Sequence, residues 1–411
     1  MSAIAIDLPE KVTSARDGIL AFAEQEVLPR HEANQALFEN PRSLYREDGR
    51  FSDDLLALIR EVRTASAAAG FYQMCVPEKL GGGGLGHLAY FVAWNALFHR
   101  CGPQNWLMLY ALAHWAFGPS RLLTQVTPEA QQRILAGLMD GTRSMCFGLS
   151  EPNAGSDASM IKTRARKDGD GWRISGRKIW TSNAPIANYC VVFAVTDADR
   201  AAAKQGGISA FLVPTDSPGF TVQRIIKLFG HIGGDEAELA LEDVYVEPWQ
   251  IVGELDQGFS AALYGVSLGR IYNSARAVGY GRWAVELALE YASTREAFGS
   301  TISQYQGVTF PLADSATELH AAHLMGINAA MLLDQGNPAV KELSMTKAYS
   351  VQAGYRAVDR AIQTHGAMGF TNEVGLTQAW HSLRIVNVAD GTNEILNRTI
   401  AQRLLKGDTD I

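Results

Sequence analysis

Ser150-Glu151-Pro152-Asn153-Ala154-Gly155-Ser156-Asp157 and, further along, Gly176-Arg177-Lys178-Ile179-Trp180-Thr181-Ser182-Asn183 are the two stretches on which the reading of this chain turns. The first gathers small residues, hydroxyls and backbone N–H groups at the junction of a helical region and a β-rich one. Closely spaced N–H donors and serine hydroxyls can surround a pyrophosphate where a large side chain would keep it away. The second sets an indole beside two hydroxyls at the end of a strand. That suits a flavin ring, whose face stacks on the indole while its N5 hydrogen-bonds to a hydroxyl or amide. By composition alone the two stretches also read as a polar loop and a core tryptophan.

Around them the chain changes character twice. From about residue 8 to 140 apolar residues recur at helical spacing: Ile19, Phe22 and Val27, then Leu55, Leu58, Ile59 and Val62, then Phe91, Trp94 and Leu97. At about Arg143, short β-rich runs begin to alternate with turn dipeptides: Asp168-Gly169, Asp170-Gly171, Ser175-Gly176, Gly206-Gly207 and Pro218-Gly219. This spacing predicts a small antiparallel sheet or barrel. From Asp256 long helices return, first Phe259 to Ala292 with apolar residues on more than one face, then a turn at Gly336-Asn337-Pro338. A helix over roughly 339–365 stops at Gly366, and a loop reaching Asp390 leads into a last helix from Asn393 to Leu405. The domains expected are a helical one over 1–142, a β one over 143–255 and a helical one over 256–411.

A chain of 411 residues, 47% hydrophobic and 19% charged, can bury a large core and is a folded protein of more than one module. Its formal charge of -7 and the lack of any long Lys/Arg cluster argue against nucleic acid as a partner. Cys75, Cys101, Cys146 and Cys190 form no CxxC pair and read as reduced thiols, without a structural zinc or iron–sulfur cluster. The start MSAIAIDLPEKV has neither a signal-peptide nor a transit-peptide pattern, so a cytoplasmic location is expected. The apolar run Trp106 to Gly118 is too short to span a membrane and is expected as a buried core helix.

Three weaker motifs lead nowhere. Gly81 to Gly86 satisfies GxGxxG, but Pro77 breaks any preceding strand and no acidic residue follows at the ribose-binding distance, so a glycine-rich loop before a helix is expected. His320 and His323 sit three apart without a His-Glu-x-x-His or carboxylate partner, and no metal site is expected. No GxSxG elbow is present.

In their order and separation the two opening stretches resemble the signature of the acyl-CoA dehydrogenase family. The likeness runs nearly the whole length, through Gly207 to Pro214, Gly253 to Phe259, Arg295-Glu296-Ala297-Phe298-Gly299, Gln363-Thr364-His365-Gly366-Ala367 and Asp390-Gly391-Thr392. The resemblance implies an N-terminal α-helical domain, a middle antiparallel β-barrel and a C-terminal four-helix bundle. It implies FAD as cofactor, contacted by Ser150, Gly155 and Ser156 near the pyrophosphate and by Trp180 and Ser182 near N5. Arg295 and Phe298 resemble residues reaching the FAD of a neighbouring subunit, Gln306, Gln363 and Gly366 resemble family positions near the adenine half, and Thr392 resembles a cofactor-contacting threonine. Ser156, Arg270 and Asp390 resemble substrate-contacting positions.

The implied reaction is α,β-dehydrogenation of an acyl-CoA thioester to the trans-2-enoyl-CoA. The partners implied are an electron-transfer flavoprotein and further copies of the chain, as a homotetramer or homodimer. Asp390 stands where most of the family carries glutamate, and Gly269 offers no carboxylate at the alternative position, so Asp390 is the expected base. Aspartate before Gly-Thr also reads as a helix cap. An Asp-Gly pair resembles the branch that includes alicyclic acyl-CoA dehydrogenases. With the small Ala389 beside it, that points to a branched, cyclic or bulky acyl chain. Other chemistry remains open on the same fold: an acyl-CoA oxidase, an enoyl reductase, a monooxygenase, an acyl-carrier-protein-linked dehydrogenase, or a non-catalytic flavin-binding protein.

Overall fold

The computed structural model of the chain describes residues 6–410. The helices of the first third are α1 (Glu10–Phe22), α2 (Leu28–Ala33), α3 (Gln35–Glu39), α4 (Asp53–Ala68), α5 (Gly86–Cys101) and α6 (Pro128–Met139). Their ends follow local chemistry. The Ser52 hydroxyl accepts from Leu55 N–H at the start of α4, and Asp53 and Asp54 occupy its first turn. Both satisfy or complement the orphan N–H groups there. The stripe Leu55, Leu58, Ile59 and Val62 is buried, as its spacing predicts. Thr127 caps α6 and Pro128 opens it.

By contacts, the described chain falls into two compact units. One holds residues up to Gln25, Leu85–Leu109 and those from Ser267; the other holds Glu26–Gly84 and Tyr110–Val266.

The second unit is built on one sheet of eight strands: β1 (Met145–Gly148), β2 (Arg164–Asp168), β3 (Gly171–Thr181), β4 (Tyr189–Val195), β5 (Ile208–Pro214), β6 (Phe220–Ile225), β7 (Ala237–Val246) and β8 (Ile251–Val252), with a short helix α7 (Ala198–Ala202) between β4 and β5. The order is β6-β7-β3-β2-β4-β5-β8, with β1 beside β4. The expected antiparallel barrel is corrected here to an open, mixed sheet: β1 and β2 both pair with β4 in parallel, and the path ends on β6 and β8 without closing. The turn dipeptides fix the hairpin at Asp168 and Gly171, where Gly169 has φ +58°, but they carry no information on which strands end up as edges. Core lies on both faces. Along β4, Tyr189, Val191 and Phe193 pack with Ala130, Ile134 and Leu138 of α6, while Cys190, Val192 and Ala194 pack with Trp172, Ile174 and Leu239 on the other side. A strand covered on both faces reads as a continuous apolar run, which is what YCVVFAV is.

The first unit is helical. α8 (Gly258–Thr294) leads into a small hairpin, β9 (Glu296–Ala297) and β10 (Ser300–Thr301), followed by α9 (Gln306–Asp334), α10 (Val340–His365), α11 (Leu376–Val386) and α12 (Asn393–Leu405). α8 approaches its neighbours at glycines: a Cβ on Gly279 would meet Phe98 and Asn95 of α5, and one on Gly354 of α10 would lie 2.3 Å from the Ala277 carbonyl. Two expectations change. The stretch before Asp390 is not all loop, because Leu376, Ala379, Leu383 and Val386 recur at helical spacing and are buried in α11. Residues 106–118 form no α-helix: Trp106–Ala111 is a 3-10 turn and the rest is irregular.

α5 starts without a side-chain cap of its own. Asp334, at the end of α9, supplies one: its carboxylate accepts from His87 N–H at 2.7 Å, Leu88 N–H at 2.9 Å and His87 Nδ1 at 2.8 Å. Burial works to raise the pKa of Asp334, but the hydrogen bonds from His87 and Leu88 outweigh it and hold the carboxyl below its usual value. A lowered folded pKa contributes stability above the unfolded carboxylate pKa, and that stability is lost as pH falls through the folded one. Asp334→Ala should therefore cost about 1–3 kcal/mol at neutral pH. The gap from wild type should shrink in unfolding curves taken at successively lower pH; a pH-independent gap would refute the assignment.

Candidate functional site

The two stretches that open the sequence reading lie side by side in the sheet unit, joined by hydrogen bonds. Ile179 N–H donates to the Ser150 carbonyl at 3.0 Å. Asn183 Nδ2 donates to the Met145 carbonyl at 2.8 Å. Between them lies an ion pair, Lys178 Nζ to Glu151 Oε1 at 2.8 Å, with side-chain exposures of 0% and 7%. Lys178 Nζ also donates to the Leu149 carbonyl at 3.2 Å. Glu151 accepts in addition from Lys162 N–H at 2.6 Å and Thr163 N–H at 2.9 Å, so one carboxylate ties both ends of the 150–163 loop to β3. Burial raises the Glu151 pKa, but Lys178, Thr163 and Lys162 together pull it below the ordinary carboxylate value.

Held this way, Ser150 is half-buried and Gly155 and Ser156 are exposed on the loop. A register shift between Lys178 and Thr181 turns Trp180 out of the strand at φ +59°, with 54% of it exposed. An exposed indole on a left-handed backbone position is a platform for a flat ring. Thr181 Oγ1 next to it is buried without a partner. The Ser182 hydroxyl donates to Glu236 Oε1 at 2.5 Å, so toward a ligand it presents its lone pairs.

Asp390 lies in the helical unit, at φ +53° between α11 and α12. The cap of α12 is Thr392, whose hydroxyl accepts from Ile395 N–H, so the capping reading of Asp390 is set aside. Residue 390 is only partly buried, yet its carboxylate reaches Asn273 of α8, 4% exposed, whose Nδ2 donates to Oδ2 at 2.7 Å. Lys347 of α10, wholly buried, donates to the Gly391 carbonyl at 2.7 Å. Arg270 is 9% exposed and donates to Ser344 Oγ at 3.3 Å. Burial pushes the Asp390 pKa up, opposed by Lys347, Arg270, Arg276 and Asn273. Burial pulls Lys347 down to about 8, with Arg270 acting in the same direction and Asp390 against it.

The remaining candidates are exposed. Arg295 follows α8, Phe298 is 99% exposed at the tip of the β9–β10 hairpin, Gln306 opens α9, and Gln363 and Gly366 lie at the end of α10. The Tyr291–His365 ring stack, centroids 4.5 Å apart, sets the ends of α8 and α10 together, so these residues share one end of the helices. Sequence reasoning missed Asn273, Arg276, Lys347 and the Glu151–Lys178 pair. In each case the partner lies far along the chain, and the spacing of neighbouring residues gave no sign of it. Among the described residues no group of three His, Cys, Asp or Glu could hold a metal, and no helix is long and apolar enough to cross a membrane.

Three family models match in succession: the acyl-CoA dehydrogenase N-terminal domain over residues 9–142, the middle domain over 146–244 and the C-terminal domain over 256–405. The chain belongs to the acyl-CoA dehydrogenase family, a family of oxidoreductases. It is 34% identical over 400 residues to "Probable acyl-CoA dehydrogenase" of Bacillus subtilis (strain 168), covering 97% of this chain and 99% of that one. It is 37% identical over 337 residues to the mitochondrial short-chain specific acyl-CoA dehydrogenase of Homo sapiens, covering 82% and 80%. The solved butyryl-CoA dehydrogenase of Megasphaera elsdenii superposes with a TM-score of 0.83 at 26% identity, over 98% of this chain and 100% of that one.

Removing one partner of a buried pair strands the other charge. Lys178→Met should cost about 3–5 kcal/mol and loosen the 150–163 loop, read as lost hydrogen-exchange protection at Lys162 and Thr163. Unchanged stability and protection would show that the pair does not hold the loop.

Proposed function

We propose that the protein is an acyl-CoA dehydrogenase in which Asp390 removes the α proton of an acyl-CoA thioester. FAD is the cofactor, held by Ser150, Gly155, Ser156, Trp180 and Ser182, and when bound it supplies the two-electron acceptor whose N5 takes the β hydrogen as hydride. The α C–H electron pair becomes the Cα–Cβ double bond, giving the trans-2-enoyl thioester, and the α proton ends on an Asp390 oxygen. The exposed Trp180 face and the lone pairs of Ser182 fit an isoalloxazine ring.

The observation that carries the reading is the setting of Asp390. A general base needs a pKa drawn toward the working pH and a fixed direction of attack. Burial supplies the first. Asn273 on one carboxylate oxygen and Lys347 on the next carbonyl supply the second. The backbone N–H of residue 390 would donate to the thioester oxygen, stabilising charge there as the α proton leaves. Arg270, buried with its Nε unpaired, adds positive potential. The carboxylate is one methylene shorter than glutamate, and the small, exposed Ala389 beside it favours a branched or cyclic acyl chain. The exposed Phe298 and its hairpin support assembly as a homotetramer or homodimer. The location proposed is cytoplasmic and the electron acceptor an electron-transfer flavoprotein.

Asp390→Asn should keep FAD and thioester binding and abolish anaerobic bleaching of the flavin; retained bleaching would mean another base. The base works deprotonated, so its raised pKa shifts the acid limb of kcat/KM to higher pH than an ordinary aspartate would give. That limb should appear in a pH series of stopped-flow flavin reduction, and a profile flat down to the usual carboxylate range would count against Asp390.

A further inference from the structure

One stripe of α8 is more heavily charged than proton abstraction requires. Arg270, Asn273 and Arg276 follow one another at three-residue steps, so they share a face of the helix. Asn273 on that face is bonded to Asp390, and both arginines act on the charge of Asp390. Arg276 donates Nη2 to the Tyr272 hydroxyl at 2.9 Å and lies over the rings of Phe98 and Tyr272, at 5.4 Å and 5.0 Å. The Nε atoms of Arg270 and Arg276 are both buried without a partner. Lys347 adds a third cation. Against these three stands one carboxylate with restricted access to water, Asp390. Glu394, which also acts on Lys347, is exposed.

An unpaired buried cation is costly, so a site that keeps one pairs it with something. In the reading above, the thioester oxygen answers one cation as charge develops there, and Asp390 answers another. Arg276 lies six residues beyond Arg270, about 9 Å along the helix axis; it is partly buried and bonded to the Tyr272 hydroxyl. Phe98 and Tyr272 lie against it, and its Nε is left without a partner. A purely hydrocarbon chain would leave that guanidinium edge without an acceptor.

We infer that the acyl group taken by this enzyme carries a hydrogen-bond-accepting oxygen beyond its β carbon, a carboxylate in the first instance, which pairs with Arg276. The inference rests on the acyl-CoA dehydrogenase reading and narrows it to oxygenated acyl chains. It is compatible with a branched or cyclic skeleton. Tyr272 holds the guanidinium through its hydroxyl, and Asn273 keeps the Asp390 carboxylate apart from it by occupying one oxygen.

The test uses the FAD-loaded enzyme with three six-carbon thioesters: hexanoyl-CoA, 6-hydroxyhexanoyl-CoA and adipoyl-CoA. Wild type should prefer an oxygenated chain over hexanoyl-CoA in kcat/KM by on the order of tenfold or more. Preference for adipoyl-CoA alone names a carboxylate, and equal preference for the hydroxy chain names a neutral acceptor. Arg276→Gln should collapse the ratio of adipoyl to hexanoyl kcat/KM, and Arg276→Lys should restore part of it. Calorimetric binding of the adipoyl-derived enoyl thioester should weaken in the Gln variant by a similar factor, a readout that needs no turnover. A wild-type preference for hexanoyl-CoA, or an equal loss on all three thioesters in the Gln variant, overturns the inference while leaving dehydrogenation intact. Bleaching by none of these, nor by branched or cyclic acyl-CoAs, overturns the dehydrogenase reading itself and this inference with it.

Discussion

The Glu151–Lys178 ion pair is the contact on which the organisation of the sheet unit depends. Two charges taken out of water gain little net stability from one another unless the remaining donors and acceptors are also used. Here they are: Glu151 takes Lys162 and Thr163 N–H as well as the ammonium, and Lys178 also reaches the Leu149 carbonyl. What the pair contributes is position. Lys178 lies two residues before Trp180, and Glu151 lies between Ser150 and Ser156, so one buried contact fixes the loop against the strand that carries the indole. A hydrophobic pair of equal volume could fill the space, but it would leave the two loop N–H groups without an acceptor.

The Asp390 site solves the opposite problem. The glutamate usual in the family can reach by rotating an extra methylene; aspartate has less freedom, so the backbone must aim it. Three constraints do so: the left-handed φ of residue 390, the Lys347 hydrogen bond to the Gly391 carbonyl, and the Thr392 cap that starts α12 directly afterwards. The same residues set the charge. Burial disfavours ionised Asp390, while Lys347, Arg270 and Arg276 favour it, so the carboxylate is pushed up from its ordinary value while its surroundings remain strongly positive. In the proposed role Asp390 would accept the proton, while the cations stabilise negative charge on a bound ligand.

The α–β–α order, the stripe of α4 and the end of α10 at Gly366 were legible because each is written in neighbouring residues. What was not legible depends on partners far along the chain. The sheet stays open because of which strands lie at its edges, and α11 is short enough that Gly375 and the polar residues around it hid its spacing. Trp106 to Gly118 is apolar because it is buried, yet burial there comes without an α-helix; the Ala113 N–H goes to the Tyr72 carbonyl instead. Asp390 itself stood out through its motif, but Asn273, Arg276 and Lys347 lie within long helices, where a buried polar residue is recognisable only from what it faces.

Backbone strain coincides with the candidate site at three of its residues. Among the described residues, non-glycine positions with positive φ include Trp180, Phe298 and Asp390, all candidate site residues. Bulky aromatics pay a steric penalty in that region, and such positions persist only where the surroundings over-determine them. The surroundings do so in each case. Ile179 N–H is held by Ser150 just before Trp180, Tyr305 Oη donates to the Ala297 and Phe298 carbonyls at 3.1 Å and 3.4 Å, and Asn273 and Lys347 bracket Asp390 and Gly391. In two of the three the strain turns an aromatic side chain outward: Trp180 is 54% exposed and Phe298 99%. A folding requirement alone would turn those rings into the core, and their outward presentation is what the proposed roles, a flat cofactor at Trp180 and a second copy of the chain at Phe298, would require.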